Sequence, residues 1–143
     1  GTWIAASAVD AQAIACAREN AARAGVDGMI RFHTCDFRDT PLAKPPAMVL
    51  MNPEYGERMG AEERLVALYE GIGSYFKEKC QGMRALVFTG NLPLGRKISL
   101  HPVRRVAMWN GDIECRLLEY DIYAGTRDAR LIRKHGGAES PAQ

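Results

Sequence analysis

An apolar run that stops at an asparagine and a proline constrains the fold of this chain more than any other feature. Met48 to Met51 has the length and composition of a buried strand. Pro53 ends that strand, because proline fixes φ and cannot donate to a ladder. The following loop therefore starts at the carboxyl end of a strand, and ligands bind at that edge in open α/β sheets.

Three groups of this loop suit one kind of chemistry. The Asn52 side chain and the Pro53 carbonyl can accept the two hydrogens of an exocyclic base amine, which turns the nitrogen lone pair toward an electrophile. The ring of Tyr55 can hold the base by stacking. Such a site needs acceptors and orientation more than a strong base. Taken alone, however, four such residues more often form a simple turn.

The rest of the chain alternates strands and helices. The predicted elements around the apolar run are a strand over 3–9, a helix over 11–24, a strand over 30–35, a helix over 61–80, a strand over 84–89 and a short helical or irregular segment to about 99. Asp10 stands where the first helix needs an N-cap, and Gly25 supplies its end. This order indicates the α/β class.

A hairpin closes the pattern. Asn110-Gly111 is suited to the positive φ angles of a tight turn, and strands are predicted on both sides, over 103–109 and 113–123. The apolar positions change parity near Leu117, which predicts a bulge or a strong twist there.

The residues around the loop resemble a known signature. Asn52 to Gly60 is similar to the Asn-Pro-Pro-Tyr-Gly-Glu-Arg-Leu-Gly sequence of the RlmL-like 23S ribosomal RNA guanine-N2 methyltransferases, a family also described as N6-adenine-specific DNA methylases. Further similar stretches lie on both sides, at 6–10, 20–26, 87–91 and 110–115. The resemblance extends over roughly residues 3 to 125.

This resemblance implies a Rossmann-like class I methyltransferase sheet with a C-terminal antiparallel hairpin, in which the last strand inserts antiparallel into an otherwise parallel sheet. The glycine-rich first strand of the family would lie upstream of residue 1, so the first predicted strand and the Met48 strand are each expected to have a free edge. We expect 1–125 to form the C-terminal portion of the methyltransferase domain, and 126–143 to be a basic, flexible tail.

The family also implies roles for individual residues. Asn52 and Pro53 would orient the target amine, while Tyr55 would stack on an extruded guanine and Arg58 would contact the substrate. Asp36 matches the acid that meets the adenine amine of S-adenosylmethionine, although a turn or cap role explains it equally well.

Two positions depart from the family pattern. Ala8 stands where the family has its ribose-binding acid, so Asp10 would have to reach the ribose, although capping its own helix is the favoured role. Glu54 replaces the second proline of the signature, and its carboxylate is expected to favour a cationic donor but to repel an RNA backbone.

The functional hypothesis is therefore S-adenosylmethionine-dependent methylation of guanine N2 in large-subunit ribosomal RNA. The alternatives are adenine-N6 methylation of DNA and a non-catalytic RNA-binding or structural fragment. The net charge of +2 permits a nucleic-acid partner without requiring one.

Composition bounds the remaining properties. The four cysteines are too widely spaced for a zinc or redox site and are expected to be buried thiols. No apolar run approaches the length of a membrane span, so we expect a cytoplasmic protein. A second copy could cover the exposed sheet edges, which gives the expectation of a homodimer.

Overall fold

A computed structural model describes residues 3–44, 47–56 and 59–124. The chain divides into two compact units, Gly1–Lys44 and Pro45–Gln143. The predicted tail, 126–143, lies outside the described residues. The predicted extent of the methyltransferase domain, 1–125, stays a prediction.

The first unit is a strand–helix–strand (βαβ) unit with two short 3₁₀ turns. Its elements are β1 (Ile4–Ala8), α1 (Ala11–Ala24), a 3₁₀ turn (Asp27–Met29), β2 (Ile30–Thr34) and a second 3₁₀ turn (Phe37–Asp39). The two strands pair in parallel, from Ile4 opposite Ile30 to Ala8 opposite Thr34. A helix connects them because parallel neighbours need a long crossover.

Helix α1 begins and ends as its sequence predicts. The Asp10 carboxylate accepts a hydrogen bond from the backbone N–H of Gln12 at 2.9 Å, and Gly25 takes the left-handed φ of 70° that ends the helix. Ile14 and Ala21 are buried, and the Arg18 guanidinium lies 5.0 Å from the centre of the Phe32 ring on β2. These contacts hold the helix against the two-stranded sheet.

The second unit contains a four-stranded sheet and two helices. Its elements are β3 (Met48–Met51), α2 (Glu62–Lys79), β4 (Arg84–Thr89), α3 (Leu92–Arg96), β5 (Arg104–Asn110) and β6 (Ile113–Asp121). The strand order is β3-β4-β6-β5. β3 and β4 are parallel, and β6 is antiparallel to both of its neighbours. The last strand thus inserts antiparallel into the sheet, as expected.

The two faces of this sheet differ in burial. One face, which we call the helix face, carries Ala85, Val87, Thr89, Leu118 and Tyr120, all of them buried. Phe76 of α2 packs against it with its ring centre 6.1 Å from that of Tyr120. The opposite face, which we call the open face, carries Met48, Leu50, Leu86, Phe88, Cys115 and Leu117. Leu50 on the edge strand is 67% exposed.

The structure corrects two predictions about the hairpin. Asn110 pairs with Ile113, so the two-residue turn is Gly111-Asp112, one position later than predicted. Only Gly111 takes a positive φ, 60°, which is the pattern of a type II′ turn with glycine first. The pairing of β6 with both neighbours is continuous, so the bulge predicted near Leu117 is wrong, and the strong twist predicted as its alternative stays a prediction. The parity change arises because β6 is a central strand with buried residues on both faces.

Candidate functional site

The loop after β3 places its polar groups at the carboxyl edge of the second sheet. Asn52 is exposed, and Pro53 and Tyr55 are partly buried. Within the described residues the Asn52 side chain makes no hydrogen bond, so its amide is available to a ligand. The strand stops at Met51 as predicted, because the run of apolar residues ends there and Pro53 cannot extend the ladder.

Tyr55 is held by the hairpin. The Asn110 side-chain amide donates a hydrogen bond to the Tyr55 hydroxyl at 2.8 Å, and the Cys115 sulfur lies 3.8 Å from the same oxygen. Because Cys115 belongs to the open face, Tyr55 lies on that face too. The loop after β3 and the β5–β6 turn therefore meet at one edge of the sheet.

Gly90 provides the space that Tyr55 occupies. A Cβ at position 90 would lie 2.6 Å from Cε2 and 2.7 Å from Cδ2 of Tyr55, and 3.1 Å from Cγ2 of Ile113. Distances below 3.0 Å are incompatible with a side chain at position 90 unless the ring moves. The ring thus lies directly on the backbone that follows β4.

A buried hydrogen-bond network supports this edge from the helix face. The Tyr69 and Thr89 hydroxyls are 2.7 Å apart, and the backbone N–H of Asn91 donates to Thr89 Oγ1 at 3.1 Å. Burial raises the pKa of Tyr69, which keeps it a neutral hydrogen-bonding group. The Asn91 side chain accepts from the Leu94 amide at 3.0 Å and so caps α3. The network fixes the backbone on which Tyr55 rests.

Glu54 points to a partner that the sequence pattern did not indicate. Its carboxylate forms an ion pair with Arg64 of α2 at 2.9 Å. Both side chains are largely solvent-accessible, so the pair contributes little to stability. Its effect is electrostatic, because the guanidinium offsets much of the negative charge that was expected to repel RNA.

The two acidic residues predicted to bind the donor lie in the first unit. Asp10 follows β1 and caps α1, as favoured from the sequence. Asp36 follows β2, accepts from the Arg38 amide at 2.9 Å, and pairs with the Arg38 guanidinium at 3.0 Å. Both acids therefore have structural partners. Ala8, the position at which the family resemblance predicts a ribose-binding acid, is the last residue of β1.

The remaining predicted site residue is Arg58, which lies outside the described residues.

Within the described ranges, no group of three or more histidine, cysteine or acidic side chains could hold a metal ion. In the same part of the chain, no helix combines the length and apolar character needed to cross a membrane.

Several groups around Tyr55 were not predicted as site residues. Asn110 and Cys115 are distant from the loop in sequence, and the strand register brings them to it. Within the described residues, Tyr69 of α2 does not touch the loop through a hydrogen bond but supports the same edge through Thr89. The sequence predicts a turn at Asn110-Gly111, but the contact of Asn110 with Tyr55 depends on the position of Asn110 opposite Ile113. A shallow cleft of about 380 Å³ also opens at this edge, lined by Gly90, Asn91, Leu92, Pro93, Glu114 and Arg116.

Sequence comparison relates the chain to ribosomal RNA methyltransferases. The profile of the RMKL-like methyltransferase domain family (UPF0020) matches residues 2–119. The ribosomal RNA large subunit methyltransferase K/L of Syntrophotalea carbinolica is 40% identical over 118 residues, covering 79% of this chain and 16% of the relative. The protein of the same name in Allochromatium vinosum is 39% identical over 116 residues, covering 80% of this chain and 16% of the relative. This chain thus spans about one sixth of these relatives.

Structural comparison identifies the same fold. The structure of SMU.472 complexed with SAH has a TM-score of 0.76 and 20% identity, covering 86% of this chain and 32% of that chain. A possible methylase from Clostridium difficile 630 has a TM-score of 0.77 and 23% identity, covering 88% and 34%. A predicted N6-adenine-specific DNA methylase from Listeria monocytogenes has a TM-score of 0.69 and 24% identity, covering 82% and 30%. The architecture is that of a Rossmann-like class I methyltransferase.

Proposed function

Because the chain belongs to the RMKL-like methyltransferase domain family, we propose that it provides the substrate-amine site of an S-adenosylmethionine-dependent RNA methyltransferase. The proposed target is guanine N2 of large-subunit ribosomal RNA, the subunit named in its relatives. One observation carries this proposal. The loop after β3 contains both Asn52, whose side chain makes no hydrogen bond within the described residues, and Tyr55, whose hydroxyl is held by Asn110.

The residues of the loop would have two roles, orientation of the target amine and stacking on the base. The Asn52 side-chain oxygen and the Pro53 carbonyl accept the two amine hydrogens, which directs the lone pair away from the ring of the base. Tyr55 supports the base from one side, because its hydroxyl is held by Asn110 and its ring rests on Gly90. Rate then comes from alignment, which can lower a barrier substantially without a strong base.

The donor would supply an electrophilic methyl group on its sulfonium. Asp36 fits a contact with a donor amine, since its carboxylate remains 40% exposed beside Arg38 and has further acceptor positions. Asp10 uses Oδ1 for the helix cap, and Oδ2 has no hydrogen-bond partner within the described residues, so a ribose hydroxyl could bind there. Each acid can thus hold a ligand without losing its structural role.

Methyl transfer to ribosomal RNA tests the proposal directly. We expect Asn52→Ala to lower the rate about 100-fold, because the amine loses an acceptor that orients it. Asn20→Ala, an exposed asparagine on α1, is the matched control and should leave the rate unchanged. Mass spectrometry of the digested product identifies the base. N2-methylguanine supports the proposal, whereas N6-methyladenine alone supports the adenine-N6 alternative instead.

Binding of S-adenosylhomocysteine tests the donor site separately. By isothermal titration we expect saturable binding that Asp36→Ala weakens roughly tenfold or more, as for a hydrogen bond to a charged group. Asp27→Ala, at another exposed aspartate of the first unit, should have no effect. Folded chain that binds no S-adenosylhomocysteine and transfers no methyl group would favour the non-catalytic alternative.

A further inference from the structure

One face of the β5–β6 hairpin combines an exposed aromatic ring with basic side chains. Arg105, Ala107 and Trp109 of β5 lie opposite Leu118, Arg116 and Glu114 of β6, so these six side chains share a face. We call five of them, all but the buried Leu118, the hairpin patch. Trp109 is 66% exposed, which is unusual for so large an apolar side chain.

The hairpin patch lies on the opposite face from Tyr55. Neighbouring residues of a strand alternate between faces, so Glu114 and Arg116 point away from the side of Cys115, which contacts Tyr55. Glu114 and Arg116 also line the 380 Å³ cleft beside the start of α3. The side chains by which β6 lines this cleft thus lie on the other side of the strand from Tyr55, and we expect the cleft and the Tyr55 ring to bind different groups.

The charges of the patch match a nucleic acid strand. Arg105 is exposed, and no carboxylate within the described residues forms an ion pair with it. The Arg116 guanidinium contacts the Glu114 carboxylate at 2.9 Å, which places hydrogen-bond donors and acceptors side by side at the cleft. An indole ring beside arginines is the combination with which proteins bind single-stranded nucleotides.

We propose that the hairpin patch binds a second nucleotide of the single-stranded RNA, outside the nucleotide whose base stacks on Tyr55. Its base stacks on Trp109, its phosphate contacts Arg105, and the edge of its base meets Glu114 and Arg116 in the cleft. The proposal rests on the proposed function for the nature of the strand. A small residue, Ala107, lies between Arg105 and Trp109 and leaves room for the nucleotide.

Tryptophan fluorescence can observe this contact. The chain contains two tryptophans, so Trp3→Phe leaves Trp109 as the sole tryptophan, whose emission can be excited selectively over that of the tyrosines. Titration with a single-stranded oligoribonucleotide should quench its emission saturably, and the affinity should fall as salt rises because phosphate contacts release counterions. Trp109 emission that does not change while RNA binds, or a chain that binds no RNA, would overturn the proposal.

Substitution provides the second measurement. Trp109→Ala removes a solvent-exposed ring and should weaken RNA binding about fivefold to a hundredfold, the range for a stacked base. Trp3→Ala is the matched tryptophan control. Arg105→Ala should weaken binding and reduce its salt dependence, whereas Arg23→Ala, an exposed arginine of α1, should not.

The outcomes separate this proposal from the proposed function. If methylation depends on Asn52 but Trp109→Ala leaves the RNA affinity unchanged, the proposed nucleotide binding at the hairpin patch is wrong and the proposed function stays in place. Quenching at Trp109 without any methyl transfer would support the patch and count against the function. If Trp109→Ala abolished self-association but not RNA binding, the patch would be a protein interface and the proposal would be wrong.

Discussion

At the scale of single residues, Gly90 controls where Tyr55 can lie. We predict that Gly90→Ala displaces the Tyr55 ring, because the new Cβ would lie 2.6 Å from Cε2, and lowers methyl transfer about 100-fold. Gly28→Ala is the control, since no atom lies within 4 Å of its Cβ position. Affinity for S-adenosylhomocysteine should stay unchanged. A Gly90→Ala variant with the parental rate would show that the ring position is unimportant.

The cysteines provide a second prediction at this scale. Cys80 is fully buried, and burial raises its pKa to about 11, so little reactive thiolate forms at pH 8. Cys16 is exposed, contrary to the expectation of buried thiols. In an alkylation time course read by mass spectrometry, we expect Cys16 to react first and Cys80 only after unfolding in denaturant. Reaction of both at one rate in the native protein would contradict this.

Residue roles were predictable where a side chain acts locally. The cap at Asp10 follows from its position before an alanine-rich helix, whereas the roles of Asn52 and Pro53 toward an amine stay predictions. The partner of Glu54 was not predictable. Arg64 reaches it only because α2 begins at Glu62, and the direction in which that helix leaves the loop is a tertiary property.

At the scale of elements, the contact between α2 and the segment after α3 depends on Gly73. A Cβ there would collide with the backbone carbonyl oxygen of Ile98, a buried residue. We predict that Gly73→Ala lowers the free energy of unfolding by about 1–3 kcal/mol, as overpacking does. The collision is with backbone atoms, which cannot rotate away as a flexible side chain can, so its cost outweighs the gain of roughly 1 kcal/mol from better helix propensity. Urea denaturation measures the change, and a stabilised variant would contradict it.

Elements with a strong local pattern were predicted most closely. The bounds of α1, β3 and β4 agree with the sequence pattern, because capping residues, glycine and proline mark their ends. The turn of the hairpin was misplaced by one residue, since either Asn110-Gly111 or Gly111-Asp112 can form a two-residue turn. Cross-strand packing selects between these registers, and a local pattern does not contain that information.

At the scale of the whole molecule, the order of the strands could not be derived from local patterns. A hairpin signal predicts that β5 and β6 pair, but not that β6 lies between β4 and β5. That position was predicted from the family resemblance. It matters for function, because only this order brings Asn110 and Cys115 to Tyr55.

The expectation of a homodimer also belongs to this scale. Within the described strands, β3 pairs only with β4, so its other edge presents free backbone groups, and Leu50 on it is 67% exposed. Such an edge favours pairing between chains, and a lysine on it opposes that pairing. If copies of the chain associate through β3, Leu50→Lys should shift sedimentation from dimer to monomer. Met59→Lys, at a side chain 105% exposed in a loop, changes charge equally and should not. A parental chain that sediments as a monomer at all concentrations would contradict the dimer, and equal effects of both lysines would indicate a general effect of charge instead of an edge contact.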